Sequence, residues 1–167
     1  MIRRLIAAVC CSATLCAGAE ATPAANYTDL WWNRNESGWG LTITQHASSR
    51  TWAIWYTYDP RQQDPSGAGA FKPLWIGMSG GTWTTPTSIT GDVFVLTGVP
   101  FFQPGSNRVA TRIGSFTFSF NSNSTGTFTY NIEPPAGLAP NDPAYGLPSM
   151  SGTKQICLLY TSDAADE

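Results

Sequence analysis

The chain has 167 residues, of which 42% are hydrophobic, 13% aromatic and 12% charged, with a net charge of -2. That is room for one ordinary domain and not for two, and a composition so rich in rings argues against disorder or a coiled coil. Without a Lys/Arg cluster to neutralise phosphates, nucleic acid is not an expected partner.

At the N-terminus, Arg3 and Arg4 precede the apolar run Leu5 to Leu15 and the small residues Ala17-Gly18-Ala19. This is the layout of a cleavable secretory signal peptide over residues 1–19, and the run is too short to cross a bilayer as a helix. Leu15 before Cys16 and Val9 before Cys10 do not fit a lipoprotein site. The mature protein is therefore expected outside the cytoplasm, secreted or periplasmic, with a Pro/Ala linker over 20–26 and a single β domain over 27–156.

Period-two patterns then dominate. Trp39, Leu41 and Ile43 alternate with Gly40, Thr42 and Thr44. In Thr51 to Tyr58, Trp52, Ile54, Tyr56 and Tyr58 share one face while Ala53, Trp55 and Thr57 share the other, so aromatics stand on both. Further strands are read over Leu74 to Met78, Ile89 to Leu96, Ser115 to Phe120 and Thr127 to Ile132, the last two joined as a hairpin across Asn121 to Gly126. A seventh begins at Ser151 and runs to Ile156. Gly, Pro and Ser/Thr clusters interrupt every helical window. The fold class expected is all-β: a small antiparallel up-and-down barrel of about seven strands, or alternatively a two-sheet sandwich. Pro60 to Pro73 and Glu133 to Pro148 read as long surface loops. The strand runs, mostly six to eight residues with Thr, Ser and Asn on their outward faces, are shorter than a tilted transmembrane strand needs, so membrane insertion is not expected.

The tail Cys157 to Glu167 resembles the in-frame translation of a sequencing-library adapter, and 157–167 is set aside as foreign sequence. Cys10, Cys11 and Cys16 fall in the leader and Cys157 in the tail. The stretch Glu20 to Ile156 then has no thiol for a disulfide or a thiolate metal site, and stability must come from core burial.

The densest feature is Tyr27 to Leu41, containing Trp31-Trp32, Asn33-Arg34-Asn35-Glu36 and Glu36-Ser37-Gly38-Trp39-Gly40. With Trp52 to Asp59 and the Phe-rich segment Gly114 to Ile132, it resembles a family of exported bacterial all-β proteins marked by an E-S-G-W-G motif. That family usually carries Asn-Pro-x-Glu where Asn33-Arg34-Asn35-Glu36 stands, and it continues beyond Ile156 into a terminal strand. The resemblance implies export and a β fold, with the last strand truncated and a sheet edge or barrel seam left open here. It implies no reaction.

The residues of this segment support two readings. In one, Gly38 and Gly40 supply positive φ or a bulge, the Glu36 or Ser37 oxygen accepts a turn amide, and Trp39 plugs the barrel end. In the other, Trp31, Trp32, Trp39 and Trp55 offer ring faces to a glycan or small aromatic ligand while Arg34 and Glu36 bond its polar rim. A carboxylate pair, Glu36 with Asp59 or Asp92, is the candidate for glycoside hydrolysis. His46, the single histidine, reads as a solvated turn residue, and no G-x-S-x-G elbow surrounds any serine. Asp59 to Asp64 is a sparse calcium candidate. The expectation is a non-catalytic ligand-binding or interaction module without metal or cofactor; the alternative is a structural β domain whose rings are all core. Trp52 and Tyr56 opposite Trp55 are the strongest hint of binding, because one of the two sets must meet a covering layer or face solvent.

Overall fold

The computed structural model describes residues 20–61, 71–105 and 108–160. The expected signal segment 1–19 lies outside them, as do Asp64 of the calcium candidate and 161–167 of the tail. The strands are β1 (Asp29–Asn33), β2 (Glu36–Gln45), β3 (Thr51–Tyr58), β4 (Pro73–Thr85), β5 (Ser88–Thr97), β6 (Val109–Phe120), β7 (Thr125–Ile132) and β8 (Met150–Leu158). Each pairs antiparallel with the next and β8 pairs with β1, closing an up-and-down barrel.

The barrel is the expected architecture, with three differences. Among the described residues there are eight strands rather than about seven, because Asp29-Leu30-Trp31-Trp32-Asn33 forms β1. Its adjacent Trp residues hide any alternation, since Trp31 is turned in and buried while Trp32 is outside and half-buried. Strands are also longer than the sequence runs: β4 has 13 residues and β6 has 12. β4 passes through Ser79-Gly80-Gly81 by a register shift against β5, so a sequence that reads as a stop is a bulge that carries the strand on to Trp83. Strand length therefore does not separate this barrel from a membrane one.

The third difference is the seam. The expected open edge is closed: Trp31 pairs with Leu158 and Trp32 with Cys157. The two residues that complete β8 are those assigned by sequence to the foreign tail. Cys157 is a free thiol in the outward register of β8.

Alternation sorts the side chains. Leu41 and Ile43, Ala53 and Trp55, Ile76 and Met78, Val93 and Val95, and Phe116, Phe118 and Phe120 all face inward and are buried, as the pleat requires. Rings fill the axis. At one end Tyr27 stacks on Phe120 with centroids 3.8 Å apart, Phe118 lies 5.2 Å from Phe128, and Phe128 lies 5.1 Å from Trp55. The interior is a packed core, not a channel. The linker 20–26 lies against the Tyr27 end, where Ala21 donates to the Trp83 carbonyl and Ala24 to the Pro86 carbonyl.

Turns at the Tyr27 end are short. The β6–β7 turn is fixed by the Ser122 hydroxyl, which accepts from the amides of Ser124 and Thr125. The opposite end carries the β3–β4, β5–β6 and β7–β8 connections. Of these, the 133–149 loop folds over the opening and buries Ala144 and Leu147. Arg61 ties it down, donating to the carbonyls of Pro143 and Tyr145 at 3.0 Å each while its own charge is met by Asp59. Asp142 accepts from the Thr111 hydroxyl on β6.

The Arg61 donors hold the Asp59 carboxyl below its ordinary 3.8, against the opposing effect of burial. A depressed carboxylate contributes stability that is present above its unfolded value and lost as pH falls through the lower folded one. The tether is thus expected to be intact at neutral pH and to weaken in acid below 3.8. Arg61→Ala should remove it at every pH. Amide exchange at Tyr145 and Leu147 is expected to rise about tenfold or more, since charge-assisted hydrogen bonds contribute about 1.5–3 kcal/mol. The barrel strands should stay protected.

Candidate ligand-binding site at the barrel rim

The expected cluster of six residues does not form one site. Trp31 is interior, 1% exposed, its indole N–H donating to the Tyr27 carbonyl at 3.1 Å. Trp55 is likewise interior, packed on Phe128 and Tyr130. Trp32 sits on the outer wall beside β8. Arg34 is exposed at the β1–β2 turn, near Gln155 and Cys157. Only Glu36 and Trp39 come together.

Glu36 is the hub of a polar cluster at the rim. Its Oε1 accepts from Asn33 Nδ2 at 3.1 Å, and its Oε2 accepts from Trp39 Nε1 at 3.2 Å and from Lys154 Nζ at 2.5 Å. The Lys154 ammonium stands 5.9 Å from the Trp39 ring centroid. Its partners are thus side chains, not the turn amides that the structural reading supposed. Of the two glycines, Gly38 takes the positive φ, 87°, and Gly40 does not. Gly38 turns the strand where the β1–β2 register shifts between Trp31 and Asn33, next to Trp39. Lys154 holds the Glu36 carboxyl below its ordinary range, with Trp39 adding to the effect. Both partners are about a third exposed, so the pair is screened and serves chiefly to orient Trp39.

The other candidate carboxylates are also ion-paired, Asp59 with Arg61 and Asp92 with Arg112. A general acid needs a raised pKa; Glu36 and Asp59 are both shifted downwards. His46 is exposed in the β2–β3 turn and its Nδ1 accepts from the Ser48 amide.

The concave aromatic surface lies on the outside of the barrel. A groove of about 310 Å³ runs along the rim, lined by Gly38, Trp39, Tyr56, Tyr58, Pro73 and Trp75. β3 and β4 build it. Tyr56 is opposite Trp75 and Tyr58 opposite Pro73 in the register, which places the two larger rings side by side, centroids 5.8 Å apart and edge to face. Tyr58 lies over Gly38, its ring carbons 3.7 Å from where a Cβ would stand. Trp75 is 65% exposed and Tyr58 51%, although both are large rings. The Thr42 hydroxyl donates to the Tyr56 oxygen, leaving the phenol proton for another acceptor. No residue lining the groove is charged.

The groove continues into an apolar flank of the outer wall formed by Trp52, Ile54, Phe94 and Leu96, with Leu96 and Trp52 both lying over Gly77. The opposite wall is different: β6, β7 and β8 show Ser115, Thr117, Ser119, Thr127, Thr129, Ser151 and Thr153 outward. The sequence places Trp52, Tyr56 and Tyr58 on the face opposite Trp55, and the structure shows that face open to solvent. Nothing in the sequence marks Trp75 and Pro73 as site residues, because only the barrel register brings β4 beside β3. Comparison with protein-family models, with curated proteins and with solved structures found no match.

Proposed function

We propose that this chain is an exported, non-catalytic binding module that holds a neutral, ring-bearing ligand, best matched by a glycan, in the rim groove. The carrying observation is the open, uncharged groove in which Trp75, Tyr58, Tyr56 and Trp39 stand around one concavity, with Trp75 left mostly in water. Exposed rings of this size are costly to leave wet, and contiguous exposed apolar surface marks interaction sites. Flat ring faces suit the C–H faces of sugars, and tyrosine and threonine hydroxyls suit their edges. The groove's lack of charge favours a neutral ligand over an anionic one. Ion pairing of Glu36, Asp59 and Asp92 supports binding without bond cleavage. The hydroxyl-rich wall of β6 to β8 supports a protein in water, because membrane barrels carry an apolar band around the whole circumference.

The test is tryptophan fluorescence during titration with neutral β-linked and α-linked oligosaccharides. Binding is expected to shift the emission, and Trp75→Ala, on the surface, should leave the fold intact and weaken affinity by about tenfold to a hundredfold, since a well-placed ring contributes on the order of 1.5–3 kcal/mol. An unchanged affinity in Trp75→Ala, or silence of the wild-type protein across the series, would reject the groove as a glycan site.

A further inference from the structure

We propose a second site, inside the barrel mouth next to the rim groove, for one small neutral molecule that is mostly apolar and carries a hydrogen-bond acceptor. A cavity of about 140 Å³ lies beneath the 133–149 loop, lined chiefly by apolar side chains such as Ile76, Ile113, Leu147 and Met150, together with Trp55 and, at its edge, the hydroxyl-bearing Thr57 and Tyr58. An engineered cavity of roughly 150 Å³ with a purely apolar lining takes up benzene. The space therefore fits a six-membered ring and excludes anything much larger.

The acceptor follows from an unpaired donor. Trp55 is 7% exposed and its indole N–H has no hydrogen-bond partner among the described residues. Three other indoles are paired: Trp31 donates to the Tyr27 carbonyl, Trp39 to Glu36 and Trp83 to the Ser49 carbonyl. Buried donors left unsatisfied are rare and costly, and each calls for an explanation. Trp55 alone borders the cavity. A ligand oxygen there would complete its bonding. No charged side chain lines the space, so a carboxylate or ammonium ligand would lose its hydration without gaining a partner. The class is thus a small ketone, ester or ether of about benzene size.

The roof bears on entry. Leu147 belongs to the 133–149 loop, and that loop is held by hydrogen bonds donated from Arg61 and from the Thr111 hydroxyl rather than by strand pairing. Local release of the loop opens the cavity without disturbing the barrel. Tyr58 and Thr57 border both this cavity and the rim groove, whereas Trp75 and Trp39 border only the groove and Trp55 only the cavity.

The probes are cyclohexanone and its shape-matched hydrocarbon, methylenecyclohexane, followed by the nitrogen-proton spectrum of the tryptophan indoles, with the Trp55 signal assigned by its loss in Trp55→Phe. Cyclohexanone is expected to move that signal downfield in a saturable way and to bind about tenfold tighter than the hydrocarbon, the ratio one hydrogen bond supplies. Trp55→Phe should erase the preference, Leu147→Trp should fill the space and abolish both, and Trp75→Ala should change neither. The proposal is overturned if the two probes bind equally, if the Trp55 signal reports an exchanging water that cyclohexanone does not displace, or if Leu147→Trp, with an otherwise native spectrum, still binds.

Discussion

Gly114→Ala is expected to cost at least about 3 kcal/mol of folding stability, the range of substitutions that force strain into a closely packed backbone. Gly114 sits at φ 152° where β6 bulges, between the pairings of Val93 and Phe94. A Cβ there would run into the carbonyl oxygen of Asn131 on β7 and lie 3.0 Å from the Ile132 Cα. Neither neighbour is a flexible side-chain end that can swing away; both belong to the paired strand. Relief requires prising β6 from β7. Against a total stability of about 5–15 kcal/mol for a typical domain, the variant should melt more than about 10 °C lower or fail to accumulate. Ser115→Ala, one residue on and facing outward, should change stability by less than about 0.5 kcal/mol. Parallel thermal unfolding of the two variants checks the pair.

Phe118→Ala should be of similar size, about 3–5 kcal/mol, for a different reason. Phe118 is fully buried, with ring centroids 5.1 Å from Phe116, 6.2 Å from Phe120 and 5.2 Å from Phe128. Removing it leaves a hole in the middle of the ring stack, and closed strands on all sides cannot collapse to fill it. Phe118→Leu retains most of the volume and should recover more than half of the loss. Denaturant unfolding of both variants gives the comparison. A small effect of Phe118→Ala would mean that the stack is not the core.

The barrel was legible in the sequence because a half-buried strand writes its two faces into alternate residues. Phe116, Phe118 and Phe120 against Ser115, Thr117 and Ser119 name the inside and outside of β6 without any tertiary information. Three features were not legible for physical reasons. β1 is too short to show a period and has a Trp on each face. The Gly80-Gly81 bulge looks like a turn, since glycine serves both. Closure at Cys157 and Leu158 depends on β1, a strand the pattern does not announce.

The site was half legible. Trp52, Tyr56 and Tyr58 on one face and Trp55 on the other implied that some rings must be exposed, and they are. Tryptophan density drew attention instead to Trp31 and Trp32, yet density along the chain carries no direction. In the barrel Trp31 is core, Trp32 lies by the seam, and Trp39 stands at the rim beside Gly38, whose φ is positive. Proximity of Trp75 to Tyr56 and Tyr58 is a property of register, which a one-residue slip would invert.

Ligand binding at the outer rim is tested most directly by mapping the seven indole N–H resonances during titration with a neutral oligosaccharide identified by fluorescence. The signals of Trp75 and Trp39 are predicted to move together while those of Trp31, Trp55 and Trp83 stay in place. Movement of the interior indoles with Trp75 unmoved would contradict the assignment of binding to the groove between β3 and β4.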